Sequence, residues 1–270
     1  FAGCDAVHPG VGFLSESAKF SQQVKDAGLV FIGPEAETIS FLGDKVQARK
    51  TAEKAGLPVT PGSDGPVADL ETAVAFAEKA GYPIIIKAAS GGGGKGMRIV
   101  RDETELEAAM RIATHEAETA FSDGTIYMEK YLENPRHIEV QILADTFGNV
   151  IHLGERDCSL QKNHQKVLEE SPSPGIDQTI RDRMCQDAVN LFKSIGYKGA
   201  GTIEFLFDGE QYYFMEVNAR VQVEHPVSEF ISNVDIIKEQ IRGCSGEELD
   251  LRQEDIRLEG ASIECRINAS

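Results

Sequence analysis

Three groups of residues have types and spacings that can do chemistry. Ser90-Gly-Gly-Gly-Gly-Lys-Gly-Met97 is a glycine-rich segment with one cation inside it, Lys95, and another, Lys87, three residues before it. Glycines let backbone N–H groups approach phosphate oxygens closely, and lysines supply charge. The segment is not a P-loop, because Lys95 is followed by Gly96 where that motif needs Ser or Thr. Its G-x-G-x-x-G match leads into Met97-Arg-Ile-Val100, a strand-like run, whereas a dinucleotide fingerprint opens a helix. A hairpin tip over phosphates is the better reading; a flexible linker is the bland one.

The second group is Glu204 and Glu216. Gly201–Phe207 and Tyr212–Asn218 read as two strands of a hairpin, and a tight loop through Gly209, Glu210 and Gln211 places the two carboxylates opposite each other. In that register Thr202, Glu204, Phe214, Glu216 and Asn218 share a face. Opposed carboxylates repel, and a divalent cation with oxygen ligands, Mg²⁺ or Mn²⁺, relieves the repulsion. The third group continues from there with period two: Arg220, Gln222, Glu224. At ~3.3 Å per residue an unbroken strand from Glu216 to Glu224 would span ~27 Å, too long for one site. The chain is therefore expected to leave strand geometry after Asn218 and enter a helix near Val227, turning these residues back. Arg220 with Gln222 can hold a planar anion, with Glu224 beside them as a base.

The elements that must position these groups are legible in outline. Leu70, Ala73, Val74 and Ala77 form one helical stripe, as do Leu106, Ala109, Met110 and Ala113, and Ile180, Met184, Ala188, Leu191 and Ile195. Ala52-Glu-Lys-Ala-Gly-Leu-Pro58 and Ala77-Glu-Lys-Ala-Gly-Tyr-Pro83 carry the same helix stop. Strands are expected at 83–89, 96–100, 125–131, 138–144, 150–156, 200–207 and 211–217. Mixed helices and hairpins make the class α+β (mixed α/β), not a doubly wound parallel sheet.

Composition excludes other roles. The 270 residues carry 27 Lys+Arg against 44 Asp+Glu, a formal charge of −17, which argues against general nucleic-acid or anionic-membrane binding. The 5 cysteines include no C-x-x-C pair, so neither a disulfide framework nor a zinc knuckle is indicated. No apolar run approaches the ~18 residues of a membrane span. A cytoplasmic location is the expectation. The chain starts without Met and stops inside a strand-like run, and is read as an excerpt of a longer protein. His8, His115 and His152 are read as structural, His225 as orienting Glu224, Phe205, Phe207, Tyr212 and Phe214 as core, and Glu103, Glu105 and Glu107 as a solvated face.

The full chain resembles the biotin carboxylase component of acetyl-CoA carboxylases, within the ATP-grasp superfamily. The motifs are His8-Pro-Gly-Val-Gly-Phe-Leu-Ser-Glu16, Gly43-Asp-Lys45, Lys87 through Arg98, Glu129-Lys-Tyr-Leu-Glu133, Arg136-His-Ile-Glu139, Glu155-Arg-Asp-Cys-Ser159, His164-Gln-Lys166, Glu216 through Pro226, and Glu264-Cys-Arg-Ile-Asn268. The resemblance implies an ATP-grasp fold with a glycine-hairpin lid. Residues 1–34 would end an amino-terminal biotin carboxylase domain, 35–256 form the ATP-grasp domain with its lid over about 59–130, and 257–270 begin a carboxy-terminal domain. It implies that ATP and bicarbonate give carboxyphosphate, which carboxylates biotin on a carrier protein.

By the same resemblance, Lys45 and Lys87 hold phosphates and Gly92, Gly93, Gly94 and Met97 belong to the flap. Glu129, Lys130 and Leu132 hold adenine, while His137, Gln161 and His164 line the nucleotide pocket. Glu204, Glu216 and Asn218 bind two Mg²⁺ or Mn²⁺ ions. Lys166, Arg220, Gln222 and the Val223 backbone bind bicarbonate, Glu224 is its base, and Arg266 steadies the biotin enolate. Implied partners are a biotin carboxyl carrier protein, carboxyltransferase subunits and a second copy in a homodimer. Val11, Asn163 and Ala269-Ser270 depart from the family's usual Tyr, Arg and Ala-Glu. Competing readings are the corresponding module of pyruvate or propionyl-CoA carboxylase, a ligase of the carbamoyl-phosphate synthetase type, and a catalytically silent nucleotide-binding subunit.

Overall fold

The computed structural model describes residues 3–88, 96–163 and 165–267, without the side chains of Lys45, Val46 and Phe121. Gly92, Gly93, Gly94 and His164 lie outside the described residues, as does the side chain of Lys45. The elements in order are β1 (Ala6–Val7), α1 (Ala18–Asp26), β2 (Val30–Phe31), α2 (Ala36–Gly43), α3 (Lys45–Lys54), α4 (Leu70–Ala80), β3 (Ile84–Ala88), β4 (Arg98–Val100), α5 (Glu103–Phe121) and β5 (Ile126–Lys130). They continue with β6 (Arg136–Ala144), β7 (Val150–Lys162), β8 (Gln165–Ser171), α6 (Gln178–Ser194), β9 (Gly199–Phe207), β10 (Tyr212–Asn218), α7 (His225–Ser232), α8 (Ile236–Cys244) and β11 (Ser262–Cys265). Two units result, residues 60–134 and the remainder.

In the smaller unit, β3 pairs antiparallel with both β4 and β5. The stripes foreseen on α4 and α5 bury Ala73, Ala77, Leu106, Ala109 and Ala113 against Ile84, Ile86, Val100 and Met128. Asp69 and Asp102 cap these helices, accepting from the amides of Thr72 and Thr104. The β3–β4 arms close tightly: Ala88 N donates to Gly96 O at 3.0 Å. Gly96 has φ +68°, and a side chain there would put its Cβ 2.9 Å from that of Ala88. Glycine is therefore required by both space and conformation.

The larger unit is built on a six-stranded antiparallel sheet, order β10-β9-β6-β7-β8-β11. Strand alternation sorts its two faces. Ile138, Val140, Ile142, Ile203, Phe205 and Phe207 join a core with α3 and α6. Leu143, Ile151, Leu153 and Ala200 pack on the other side with Ile236 of α8. The buried polar residues Glu139, Gln141, Thr202 and Glu204 alternate with the first set, so they share that second face.

Two expectations need correction. Phe214 pairs with Phe205, not with the carboxylate row, because a bulge between Phe214 and Glu216 shifts the register by one. Phe214 is consequently buried in the α3/α6 core. β8 is an additional strand. Its sequence Gln-Lys-Val-Leu-Glu-Glu-Ser lacks a clean apolar alternation, and the buried Glu169 meets its cation, Arg266, only through the fold.

Candidate active site

Past the Met215 bulge the ladder runs Glu216↔Glu204, Val217↔Ile203, Asn218↔Thr202, the register expected for the two carboxylates. On its other side, Glu204 of β9 pairs with Glu139 of β6, which in turn pairs with Arg156 of β7. Four neighbouring strands thus contribute a lateral row of Glu216, Glu204, Glu139 and Arg156. A row of acids in a sheet interior demands cations.

Lys166 answers that demand from β8. Its Nζ lies 2.5 Å from Glu139 Oε2, 2.8 Å from Glu204 Oε1 and 2.8 Å from Glu224 Oε1, with Gln222 Oε1 at 3.4 Å. Burial alone would lower its pKa, but the facing Glu139 and Glu204 outweigh burial and raise it. Lys166 is accordingly a fixed positive charge. Glu224 is 2% exposed. Its second oxygen accepts from Arg266 Nη2 at 2.7 Å. Burial pushes the Glu224 pKa up, but Lys166 and Arg156 prevail and it falls below the ordinary value. Glu204 is likewise held well below the ordinary range against burial, by His137 and Lys166.

The chain leaves β10 at Asn218, as expected, and α7 begins at His225 with Glu224 as its N-cap residue and Pro226 in the first turn. His225 Nδ1 lies 2.7 Å from Gln222 O, closing the turn that carries both residues. Gln222 Nε2 donates to Glu204 Oε1 at 3.1 Å, and Asn218 Nδ2 donates to the same oxygen at 3.0 Å. Glu204 Oε1 is therefore the meeting point of Lys166, Asn218 and Gln222. Arg220 takes a separate set of partners. Its Nε pairs with Glu16 Oε2 at 3.0 Å and its Nη2 donates to Asn218 Oδ1 at 3.1 Å. Arg220 and Gln222 are thus linked through Asn218 and Glu204. Val223, by contrast, is 47% exposed.

His137 Nε2 approaches Glu204 Oε2 to 2.9 Å, a contact that becomes an ion pair when the imidazole is protonated. Burial lowers its pKa, but Glu204 more than compensates and raises it. Gln161 Nε2 contacts His137 Nδ1 at 3.1 Å and donates to Cys158 O at 3.0 Å. His137, Glu139 and Glu204 hold ligand-type atoms within 4.8 Å of one another. The hard oxygen donors of Glu204, Glu216 and Asn218 fit Mg²⁺ or Mn²⁺. Glu216 and Asn218 also line a cavity of about 240 Å³ with Glu16 and Gly43.

In the smaller unit Lys87 Nζ pairs with Glu129 Oε2 at 2.5 Å, and Lys130 Nζ donates to Gly81 O and Tyr82 O. Met97 is 37% exposed, and Leu132 is half-buried. Sequence spacing missed Glu139, Arg156, Glu169 and Glu16. Glu169 is fully buried and accepts from Arg266 Nε at 2.6 Å, so Arg266 bridges Glu169 and Glu224. Burial raises the Glu169 pKa, with Arg266 opposing. The signal for Glu139 was present: Glu139 and Gln141 are polar at period two inside an apolar run.

Residues 44–252 match the family described as Carbamoyl-phosphate synthase L chain, ATP binding domain, and residues 1–39 match Biotin carboxylase, N-terminal domain. The biotin carboxylase of Pseudomonas aeruginosa is 54% identical over 268 residues, which cover 99% of this chain and 60% of that protein. The pyruvate carboxylase of Staphylococcus aureus is 52% identical over 272 residues, covering 98% and 24% respectively. A crystal structure of the biotin carboxylase domain dimer of Hydrogenobacter thermophilus 2-oxoglutarate carboxylase, with the magnesium salt of ADP, ADP and bicarbonate, superposes with TM-score 0.87 at 49% identity, over 99% of this chain and 59% of that one. The chain spans about three fifths of the biotin carboxylases it matches.

Proposed function

This chain belongs to the carbamoyl-phosphate synthase L chain ATP-binding family, with a biotin carboxylase amino-terminal match, and we propose that its site carries out the ATP-dependent carboxylation of biotin. The observation that carries the reading is the Lys166–Glu224–Arg266 row. A buried, ionised carboxylate is held between two cations, beside a pair of carboxylates suited to a metal, Glu204 and Glu216, of which Glu204 shares Lys166.

Glu224 is the base that takes the proton of bicarbonate. Lys166, Arg220, Gln222 and the Val223 backbone hold the anion, and its oxygen attacks the γ-phosphorus of ATP as the bond to ADP breaks, giving carboxyphosphate. Phosphoryl transfer of this kind depends on positioning and charge neutralisation. Glu204, Glu216 and Asn218 would hold Mg²⁺, which supplies charge neutralisation at the phosphates. Lys45, Lys87, the flap with Gly92, Gly93, Gly94 and Met97, the adenine-side residues Glu129, Lys130 and Leu132, and His137, Gln161 and His164 bind the nucleotide. Arg266 then faces the biotin enolate, a planar anion suited to a guanidinium. Residues 1–34, 35–256 and 257–270 are assigned to the three domains named above.

The finer reading is the first half-reaction of acetyl-CoA carboxylase, with a biotin carboxyl carrier protein as acceptor, carboxyltransferase subunits downstream, and a homodimer as the assembly. ADP release by the full-length protein, with bicarbonate and free biotin varied independently, tests the core proposal: turnover should require bicarbonate and rise with biotin. ATP cleavage indifferent to both would sink it. Carboxyl transfer to pyruvate instead of acetyl-CoA by the assembled enzyme would overturn only the finer reading.

A further inference from the structure

Arg156 is among the largest fully buried side chains, at 0% exposure, and none of the roles assigned above uses it. Its guanidinium reaches three elements: Nε donates to Glu139 Oε1 at 2.6 Å, Nη1 to Gln141 Oε1 at 2.7 Å and to Ser228 Oγ at 2.8 Å, and Nη2 to Thr202 Oγ1 at 3.4 Å. Buried ion pairs are poor stabilisers, because the cost of desolvating both charges offsets much of their attraction, and apolar replacements of like volume are frequently as stable. What the guanidinium supplies that an apolar side chain cannot is a fixed geometry among several acceptors.

That geometry closes on the site. Glu139 spends one oxygen on Arg156 and the other on Lys166, 2.5 Å away. Lys166 contacts Glu224 Oε1 at 2.8 Å. Glu224 is the N-cap residue of α7, and Ser228, one turn along the same helix, returns to Arg156. The contacts form a closed loop: Arg156, Glu139, Lys166, Glu224, α7, Ser228. We propose that Arg156 is a positioning residue, clamping α7 to β6 so that the base Glu224 and the cation Lys166 stay in register. The inference rests on the bicarbonate reading, and adds to it a residue that touches no substrate.

The test uses the full-length protein carrying Arg156→Lys or Ser228→Ala. A lysine brings one compact nitrogen where the guanidinium spreads its donors over three in a fixed fork, so Arg156→Lys should lower bicarbonate-dependent kcat roughly 100-fold, the cost of a ~1 Å misplacement, and raise the KM for bicarbonate. Ser228→Ala removes one link and should lower kcat about 2–10-fold, as expected for one hydrogen bond. ATP affinity measured without bicarbonate should stay within about 3-fold of wild type in both, a change of under about 0.7 kcal/mol. Folded variants with wild-type kcat and bicarbonate KM would overturn the proposal, as would a loss of ATP affinity equal to the loss of turnover, the mark of a merely structural role. If Arg156→Lys does not fold, Ser228→Ala decides by the same criteria. A wild-type enzyme indifferent to bicarbonate would instead remove the underlying functional reading.

Discussion

Glu204 stands opposite Glu216 across the β9–β10 ladder because Met215, 44% exposed, bulges out between Phe214 and Glu216. The bulge lets one strand serve two purposes. Tyr212 and Phe214 enter the core before it, and Glu216 returns to the face of Glu204 after it. Bulges are known to re-aim side chains beside functional sites in this way.

Glu216→Gln keeps the size of the side chain and removes one charge from the metal's ligand set. The Mg²⁺ concentration for half-maximal ATP cleavage should rise about tenfold or more, since a hard cation depends on ligand charge. A Mg²⁺ titration of ADP release checks this; an unchanged midpoint would remove Glu216 from the ligand set.

Glu224→Gln should bind nucleotide as wild type does and lose bicarbonate-dependent turnover by ~10²-fold or more, the usual contribution of a positioned base. Equilibrium binding of ATP alongside steady-state ADP release separates the two. Normal turnover would show that the proton goes elsewhere.

Lys166→Met leaves Glu139, Glu204 and Glu224 without the cation that contacts all three. In the wild type, Glu204 and Glu224 have lowered pKa values, so their contribution to stability is present above the ordinary value of 4.5 and is lost as pH falls through the folded-state values. In the variant their pKa values should rise toward the ordinary one, with His137 still facing Glu204 and Arg156 and Arg266 still facing Glu224, so that this contribution shrinks. Thermal melts in a chelator should show the variant about 3 kcal/mol below wild type at pH 8 and losing less stability than wild type as the pH falls below the ordinary carboxylate range. A variant that loses as much as wild type over that range would contradict the charge assignment.

Asp145, 1% exposed, ties the β6–β7 turn to a distant loop, accepting from the amides of Phe147, Asn149 and Leu249 and from Asn149 Nδ2. Asp145→Ala orphans these donors and should cost about 1–3 kcal/mol in urea unfolding. Turnover per folded molecule should be unchanged, because Asp145 touches none of the site residues named above.

How much of this was legible in the sequence follows from the range of each interaction. Local patterns carried the helix stripes of α4, α5 and α6, the two-strand hairpin of β9 and β10, and the end of β10 at Asn218. The residues that bring charge balance were hidden, because their partners come from other strands. Lys166 finds Glu139, Glu204 and Glu224 only once β6 lies between β9 and β7 and β8 lies beside β7. Arg220 is equally non-local: it pairs with Glu16 near the start of the chain. The bulge escaped notice because Met215 is an ordinary strand residue in composition, and only the pairing reveals that it is extra.

Glu224 occupies the N-cap position of α7, yet its side chain makes no capping hydrogen bond. None is needed: Pro226 has no amide hydrogen, and the Val227 amide already donates to Glu224 O. The side chain is left to serve Lys166 and Arg266, and removing it would strip two cations of their shared carboxylate. A screen for heat-resistant variants should therefore leave this position untouched, because durability and turnover ask for the same residue.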